Sequence, residues 1–239
     1  MKLAPGTPLA VGLLTDETAA GWELQKQTAE EIKADYKKLS EQDLKTKLYF
    51  EDMRIRRKAQ FELAKRGEKG AAIFKDVIGD KSNQVARVHG IVGLTQLARM
   101  DDRDHADAIV PLLKDQDPEI AALAAKWLGD IRYERANSVL IENLKHPNGR
   151  VQFFSAEALG RAKAKEAIQP LIALLEANND EDAYLRHGVS YALSQIGEVA
   201  PLAALSTHPS PAVRLGAVLA LRRLSSPELA KFLQDSNEY

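Results

Sequence analysis

Six stretches of this chain align without gaps: IRRKAQFEL (55–63), ARVHGIVGL (86–94), IAALAAKWL (120–128), VQFFSAEAL (151–159), LRHGVSYAL (185–193) and VRLGAVLAL (213–221). Each opens on an aliphatic residue or Ala and closes on Leu eight positions later. A small residue or Val stands four positions in: Ala59, Gly90, Ala124, Ser155, Val189 and Ala217. Positions 0, 4 and 8, with further apolar residues at 11, share one face of a 3.6-residue helix, so these are amphipathic helices and not strands. Their closing leucines lie 31, 34, 31, 34 and 28 residues apart. Recurrence at such a period limits the possible folds more than any single motif does.

A second apolar helical segment precedes each stretch: 43–50, 71–78, 106–113, 137–144, 167–175 and 199–206. Turn-forming runs such as DQDPE (115–119), HPNGR (146–150) and HPSPA (208–212) separate the two, ending one helix and capping the next. One helix pair cannot bury its apolar face alone, so the pairs must stack. The expected fold is all-α: an α-solenoid of stacked antiparallel helix pairs, about six repeats, plus a trailing helix at PELAKFLQD (227–235). Residues 1–39 precede the array at 40–239. In them Ala29, Ile32, Tyr36 and Leu39 form a stripe that predicts an amphipathic helix over roughly 22–38, capping the apolar end of the stack. Ser40 and Asp43 predict a capping box, with Asp in place of the usual Glu.

Composition removes several classes of function. Basic and acidic residues number 33 and 34, for a net charge of -1, so no global excess attracts nucleic acid. Cysteine is absent, which excludes disulfides, thiolate metal sites and Cys nucleophiles. No run reaches the ~18 apolar residues of a membrane span. The N-terminal MKLAPGTPLAVGLLTDE has a short apolar run interrupted by Pro5 and Pro8, and is not read as a signal peptide.

The repeats resemble HEAT-type units, especially the short bacterial kind. The residues that carry the likeness are DPE at 117–119, an Arg one position after the aliphatic start (Arg56, Arg87, Arg186, Arg214), and the ALG-like ends at 127–129 and 158–160. The resemblance implies a polar ladder in which these arginines meet turn carboxylates such as Asp117 and Asp182, with Asp180 or Asp182 the expected partner of Arg186. Ala121 and Gln152 depart from the pattern and should interrupt it. A narrower likeness, over about 40–225, is to the HEAT segment of bacterial multidomain proteins that join a dehydrogenase-like β-propeller to a c-type cytochrome domain. It implies neighbouring domains as partners, a segment of a larger exported oxidoreductase, and a periplasmic location; a standalone relative would be cytoplasmic. The chain has no Cys-x-x-Cys-His haem site, and the single helix expected after 227 suits either a segment of a longer protein or a short standalone relative.

Chemistry-bearing motifs are sparse. None of the five histidines (His89, His105, His146, His187, His208) is followed by Glu, unlike the paired motifs of HEAT-like iron hydroxylases. There is no GxGxxG, no GxxxxGK[ST] and no GxSxG. Acidic pairs such as Asp101-Asp102 read as solvated helix ends. No catalytic residue, metal ligand or cofactor is assigned. Arg54, Arg56, Arg57, Lys58, Lys65 and Arg66 make a local basic patch and Arg222-Arg223 another, but phosphate binding needs a continuous basic track, so nucleic acid is not the expected partner.

Positions 2, 6, 9 and 13 of the second helices point away from the core, and in HEAT-like stacks these helices line the concave surface. Phe61, Val92, Phe153, His187, Tyr191, Leu215 and Leu219 there form a partly apolar stripe, joined by Val88. Either close inter-repeat packing buries it, or it is a groove for a partner. The expectation is a non-catalytic scaffold that mediates protein–protein or interdomain contact. The alternative is a HEAT-fold enzyme or nucleic-acid-processing protein with a concave-face site.

Overall fold

The computed structural model describes residues 19–100 and 102–235. The N-terminal stretch read above and Asp101 lie outside them. In chain order the elements are α1 (Ala19–Lys33), α2 (Glu41–Lys47), α3 (Met53–Ala64), α4 (Glu68–Gly79), α5 (Gln84–Met100), α6 (Pro118–Asp130), α7 (Asn137–Asn143), α8 (Gly149–Arg161), α9 (Ile168–Asn178), α10 (Ala183–Ile196), α11 (Val199–Ala203) and α12 (Pro211–Arg223). Short 3-10 segments join them, and among the described residues all regular structure is helical. None of these helices is long and apolar enough to cross a membrane.

The molecule is an all-α solenoid. The second helices of the six pairs are α3, α5, α6, α8, α10 and α12, and their positions 0, 4 and 8 are buried without exception. The six closing leucines are at most 1% exposed. Burial of each contributes roughly 1.5–3 kcal/mol, the largest favourable term the repeat supplies.

Each second helix starts three residues before position 0, on Asp52, Asn83, Asp117, Asn148, Asp182 or Ser210. Asp117 accepts from Glu119 N, Asp182 from Tyr184 N and Leu185 N, and Asn83 from Ala86 N. Asp52, Asn148 and Ser210 do the same for their own helices. Side chains that bond the orphan N–H groups of a first turn contribute about 1 kcal/mol each.

That use of Asp117 and Asp182 corrects the expected ladder. Asp117 caps α6 and accepts from Gln84, while Asp182 caps α10. Of the two carboxylates expected beside Arg186 it is Asp180 that pairs, while Asp115 holds Arg87 and Asp235 holds Arg214. The commoner acceptor of the row is a backbone carbonyl at the end of the preceding helix. Arg56 donates to Phe50 O and Glu51 O, Arg87 to Ile78 O, Gln152 to Leu144 O, and Arg214 to His208 O and Pro209 O. Where Ala121 leaves this position empty, Asn143 of the next repeat reaches back to Leu113 O at 2.8 Å. Five of the six repeats thus supply such a carbonyl with the donor it needs, and in the other Arg186 pairs with Asp180.

Four expected helices differ. Segment 199–206 is α11 followed by a 3-10 turn over Ala204–Thr207. Segment 106–113 is two 3-10 turns, Arg103–Ala108 and Val110–Lys114. Pro111 lacks the N–H and clashes with an α-helical carbonyl four residues back. The trailing segment is also 3-10, over Pro227–Phe232. The N-terminal helix ends at Lys33, and Tyr36 starts a separate 3-10 turn. Tyr36 is buried, whereas Ala29 and Ile32 are exposed, so the stripe does not continue through one helix. Lys58 donates to Ile32 O and Ala34 O and lies 4.2 Å over the Tyr36 ring, and Arg66 donates to Tyr36 O. Ser40 and Asp43 form the capping box of α2.

Second helices pack at backbone distance. A Cβ on Gly129 would lie 2.7 Å from Ala158 Cα, and one on Gly160 would lie 2.6 Å from Ala192 Cα. First helices stand further apart. Between α7 and α9 a groove of about 880 Å³ opens over Leu144, Pro170, Ala173 and Leu174. Close contact on one side and splay on the other curve the stack, with the second helices on its concave face.

Gly160→Val should therefore lower stability by about 2 kcal/mol, within the usual cost of overpacking. Gly79→Ala, at a helical position with nothing within 4 Å, should raise it by up to ~1 kcal/mol through helix propensity. Thermal unfolding followed by circular dichroism reads both. A Gly160→Val protein as stable as the parent would sink the close-contact assignment.

Candidate protein-docking face

The concave face is built from positions 2, 6 and 10 of the second helices, one turn apart along each. It divides into three zones. At the N-terminal end Phe61 is 45% exposed, and Val88 and Val92 are half-buried. Beside them runs a polar chain from α3 to α5. Arg56 Nε donates to His89 Nε2 at 3.1 Å, and His89 Nδ1 lies 2.8 Å from Gln60 Oε1. An arginine can only donate, so Nε2 accepts and Nδ1 carries the hydrogen. Gln60 Nε2 continues to Gln96 Oε1 at 3.4 Å. Burial, and then the Arg56 charge, push the His89 imidazole down to about 4.

The centre is charged. Asp130 receives Lys126 at 2.9 Å, Arg161 by a direct ion pair, and Arg99 at 3.9 Å. Arg161 also meets Glu157 at 2.9 Å. Lys126 and Arg99 lie over the Trp127 ring at 4.1 and 5.7 Å. Burial, and then the Arg161 charge, hold the Lys126 ammonium below its ordinary value. Three cations thus share two carboxylates across three repeats.

At the C-terminal end His187 and Tyr191 sit one turn apart on α10, with parallel rings and centroids 6.5 Å apart. Arg223 of α12 crosses to them. Its Nη2 lies 3.3 Å from His187 Nδ1, and its guanidinium 5.9 Å from the Tyr191 centroid. Leu215 and Leu219 are half-buried beside this group.

The seven residues read from the sequence as a stripe are therefore not equivalent. Phe61 and His187 are exposed; Val92, Tyr191, Leu215 and Leu219 are half-buried. Phe153 is a packing residue: its ring fills the space where a Cβ on Gly188 would come within 2.7 Å, and it meets Phe154 edge-to-face at 5.3 Å. Asp130, Arg161 and Arg223, which tie the face together, are absent from that stripe. Their shared signal is position 10, which a reading of positions 2, 6, 9 and 13 passes over.

The basic patch of α3 is largely spent within the fold. Arg54 pairs with Asp52, Arg66 with Glu41 and Glu62, and Arg56 and Lys58 hold carbonyls. His146 Nδ1 and His208 Nδ1 each accept from the backbone N–H two residues on, closing the His-Pro turns. His105 is buried, 3.6 Å from Glu68. The five histidines thus serve separate local structures.

Residues 91–151 and 137–207 match the family model described as HEAT repeats. Among solved structures, an engineered protein from a structural-genomics programme is similar at 19% identity, over 77% of this chain and 96% of its own, with a TM-score of 0.50. A designed armadillo repeat protein matches at 16% identity over 76% and 98%, with a TM-score of 0.48. Human deoxyhypusine hydroxylase, in complex with glycerol, matches at 18% over 90% and 94%, with a TM-score of 0.39. No curated protein is significantly similar in sequence. The chain is a HEAT-like repeat protein.

The His89 linkage has a defined sign. Its pKa falls from an ordinary 6.5 to about 4 on folding, so the unfolded chain binds the proton more readily. The stability this neutral histidine supplies is whole above pH 6.5 and is lost as pH falls toward 4. His89→Gln, which does not titrate, should flatten the dependence of melting temperature on pH across that window. An unchanged slope would remove His89 as its source.

Proposed function

We propose that this HEAT-like repeat protein is a non-catalytic scaffold whose concave face docks a protein partner or a neighbouring domain of a longer chain. One observation carries the reading: apolar and aromatic side chains, exposed at Phe61 and half-buried at Val88, Val92, Tyr191, Leu215 and Leu219, stand at both ends of the face and are braced by polar contacts on either side of a charged centre. Preformed side chains lose little conformational entropy on binding, which is what a docking surface requires. The residues with strong local chemistry are engaged in holding helices together. Asp130 and Arg161 bind one another, and His89 is held neutral between Arg56 and Gln60. The likeness to multidomain bacterial proteins makes a propeller or cytochrome neighbour, and hence a periplasmic setting, the finer form of the same proposal.

Photo-crosslinking in the source cell tests it. A benzophenone amino acid at Phe61 or Tyr191 should give a defined adduct several-fold more abundantly than one at Ala173, which is exposed on the outer face. Leu219→Arg should reduce the Tyr191 adduct while the helical circular dichroism stays unchanged. Equal labelling from Ala173 would show that the concave face is not the contact.

A further inference from the structure

The charges of the concave face differ in sign from those of the chain. The chain carries a net charge of -1. Of the eighteen side chains at positions 2, 6 and 10 of the second helices, five are Arg or Lys and two are Asp or Glu. Both acids, Asp130 and Glu157, are engaged by Lys126 and Arg161 at the centre. The cations at the two ends are less compensated.

Arg223 is the best organised of them. Among the described residues it meets Leu219 O, His187 Nδ1 and the face of Tyr191, and no carboxylate. The ring and the imidazole fix the guanidinium without cancelling its charge. Because His187 Nδ1 accepts from Arg223, its ring hydrogen sits on Nε2 of an exposed side chain. The group thus offers two kinds of donor, guanidinium and imidazole N–H, from helices of successive repeats. Half-buried Leu215 and Leu219 lie alongside on α12.

Resting on the docking reading above, we propose that the concave face receives an acidic polypeptide segment, with Arg223 and His187 gripping one of its carboxylates and Leu215 and Leu219 meeting its apolar side chains. A carboxylate suits this site because a guanidinium fork matches it in geometry as well as charge. A polypeptide suits the face better than a nucleic acid does. The cations form no continuous track: Asp130 and Glu157 interrupt them at the centre, and apolar side chains alternate with them at both ends. A phosphate backbone needs an unbroken row. An acidic segment with apolar residues between its carboxylates needs this alternation.

Fluorescence anisotropy with three labelled peptides tests the assignment, each alternating Leu with Glu, Gln or Lys. The Glu peptide should bind about tenfold more tightly than the Gln peptide, ~1.4 kcal/mol, and the Lys peptide most weakly. Arg223→Gln should erase the preference for Glu, and Arg223→Glu should turn it toward Lys. Arg223 is exposed in the last turn of α12, and circular dichroism verifies that both variants keep the fold. Equal binding of the three peptides, binding of none, or a preference that survives Arg223→Gln would overturn the proposal. So would tighter binding of a DNA duplex that Arg223→Gln weakens. If the peptides fail while crosslinks at Phe61 and Tyr191 persist, the docking face stands and its acidic partner falls.

Discussion

Two contacts at backbone distance set the geometry on which the rest depends. Gly129 against Ala158 and Gly160 against Ala192 bring α6, α8 and α10 together with no side chain between them. Interhelical distance is otherwise fixed by the side chains at the contact, and these are the smallest available. The same approach lets Lys126, Asp130, Glu157 and Arg161 meet across two repeats, and it forces the first helices apart over α7 and α9. Curvature, the central ion-pair network and the outer groove share one cause.

The repeat was legible because burial repeats with it. Positions 0, 4 and 8 are apolar or small in all six second helices, and the further apolar residues at position 11, such as Leu97, Ile131, Ile196 and Leu224, share that face in a helix and not in a strand. Helix existence therefore followed from pattern alone. What the pattern could not supply was competition for the same atoms. Asp117 and Asp182 stand near the arginine row in sequence, as a ladder partner should. Yet a carboxylate three residues before a helix face is committed to the orphan N–H groups of that helix. Asp115 and Asp180, two residues earlier, are the ones that pair with arginine. Pro111 is a similar case: apolar spacing over 106–113 fits a helix, and one missing N–H converts it into two 3-10 turns.

The docking stripe was legible in part, for a physical reason. Exposure on a curved stack depends on the neighbouring repeat as well as on the helix itself. Phe153 has the helical position of an outward residue, but Gly188 on the next repeat makes room for its ring. Phe61 has the same outward character and remains 45% exposed. No property of either phenylalanine's own helix separates the two. Arg223 shows the converse: a charged residue near a helix end reads as solvated surface until His187 and Tyr191, from another repeat, are seen to hold it.

Capping also explains how a nearly neutral chain carries a cationic inner face. Every second helix begins on a side-chain oxygen from Asp, Asn or Ser, which draws acidic residues to the turn edge of the stack. The opposite ends of these helices present unpaired carbonyls and partial negative charge, which favour cations in the last turn. Arg99, Arg161 and Arg223 all lie in the last turns of their helices, α5, α8 and α12. Asp130 is the exception, in the last turn of α6, and it is the one that three cations surround. The separation of charge thus follows from helix ends stacked in parallel. Carboxylates stay on one edge to start helices, and arginines collect toward the other, where position 10 places Arg161 and Arg223 on the concave face. A local requirement of each helix, repeated six times, becomes a property of the whole surface.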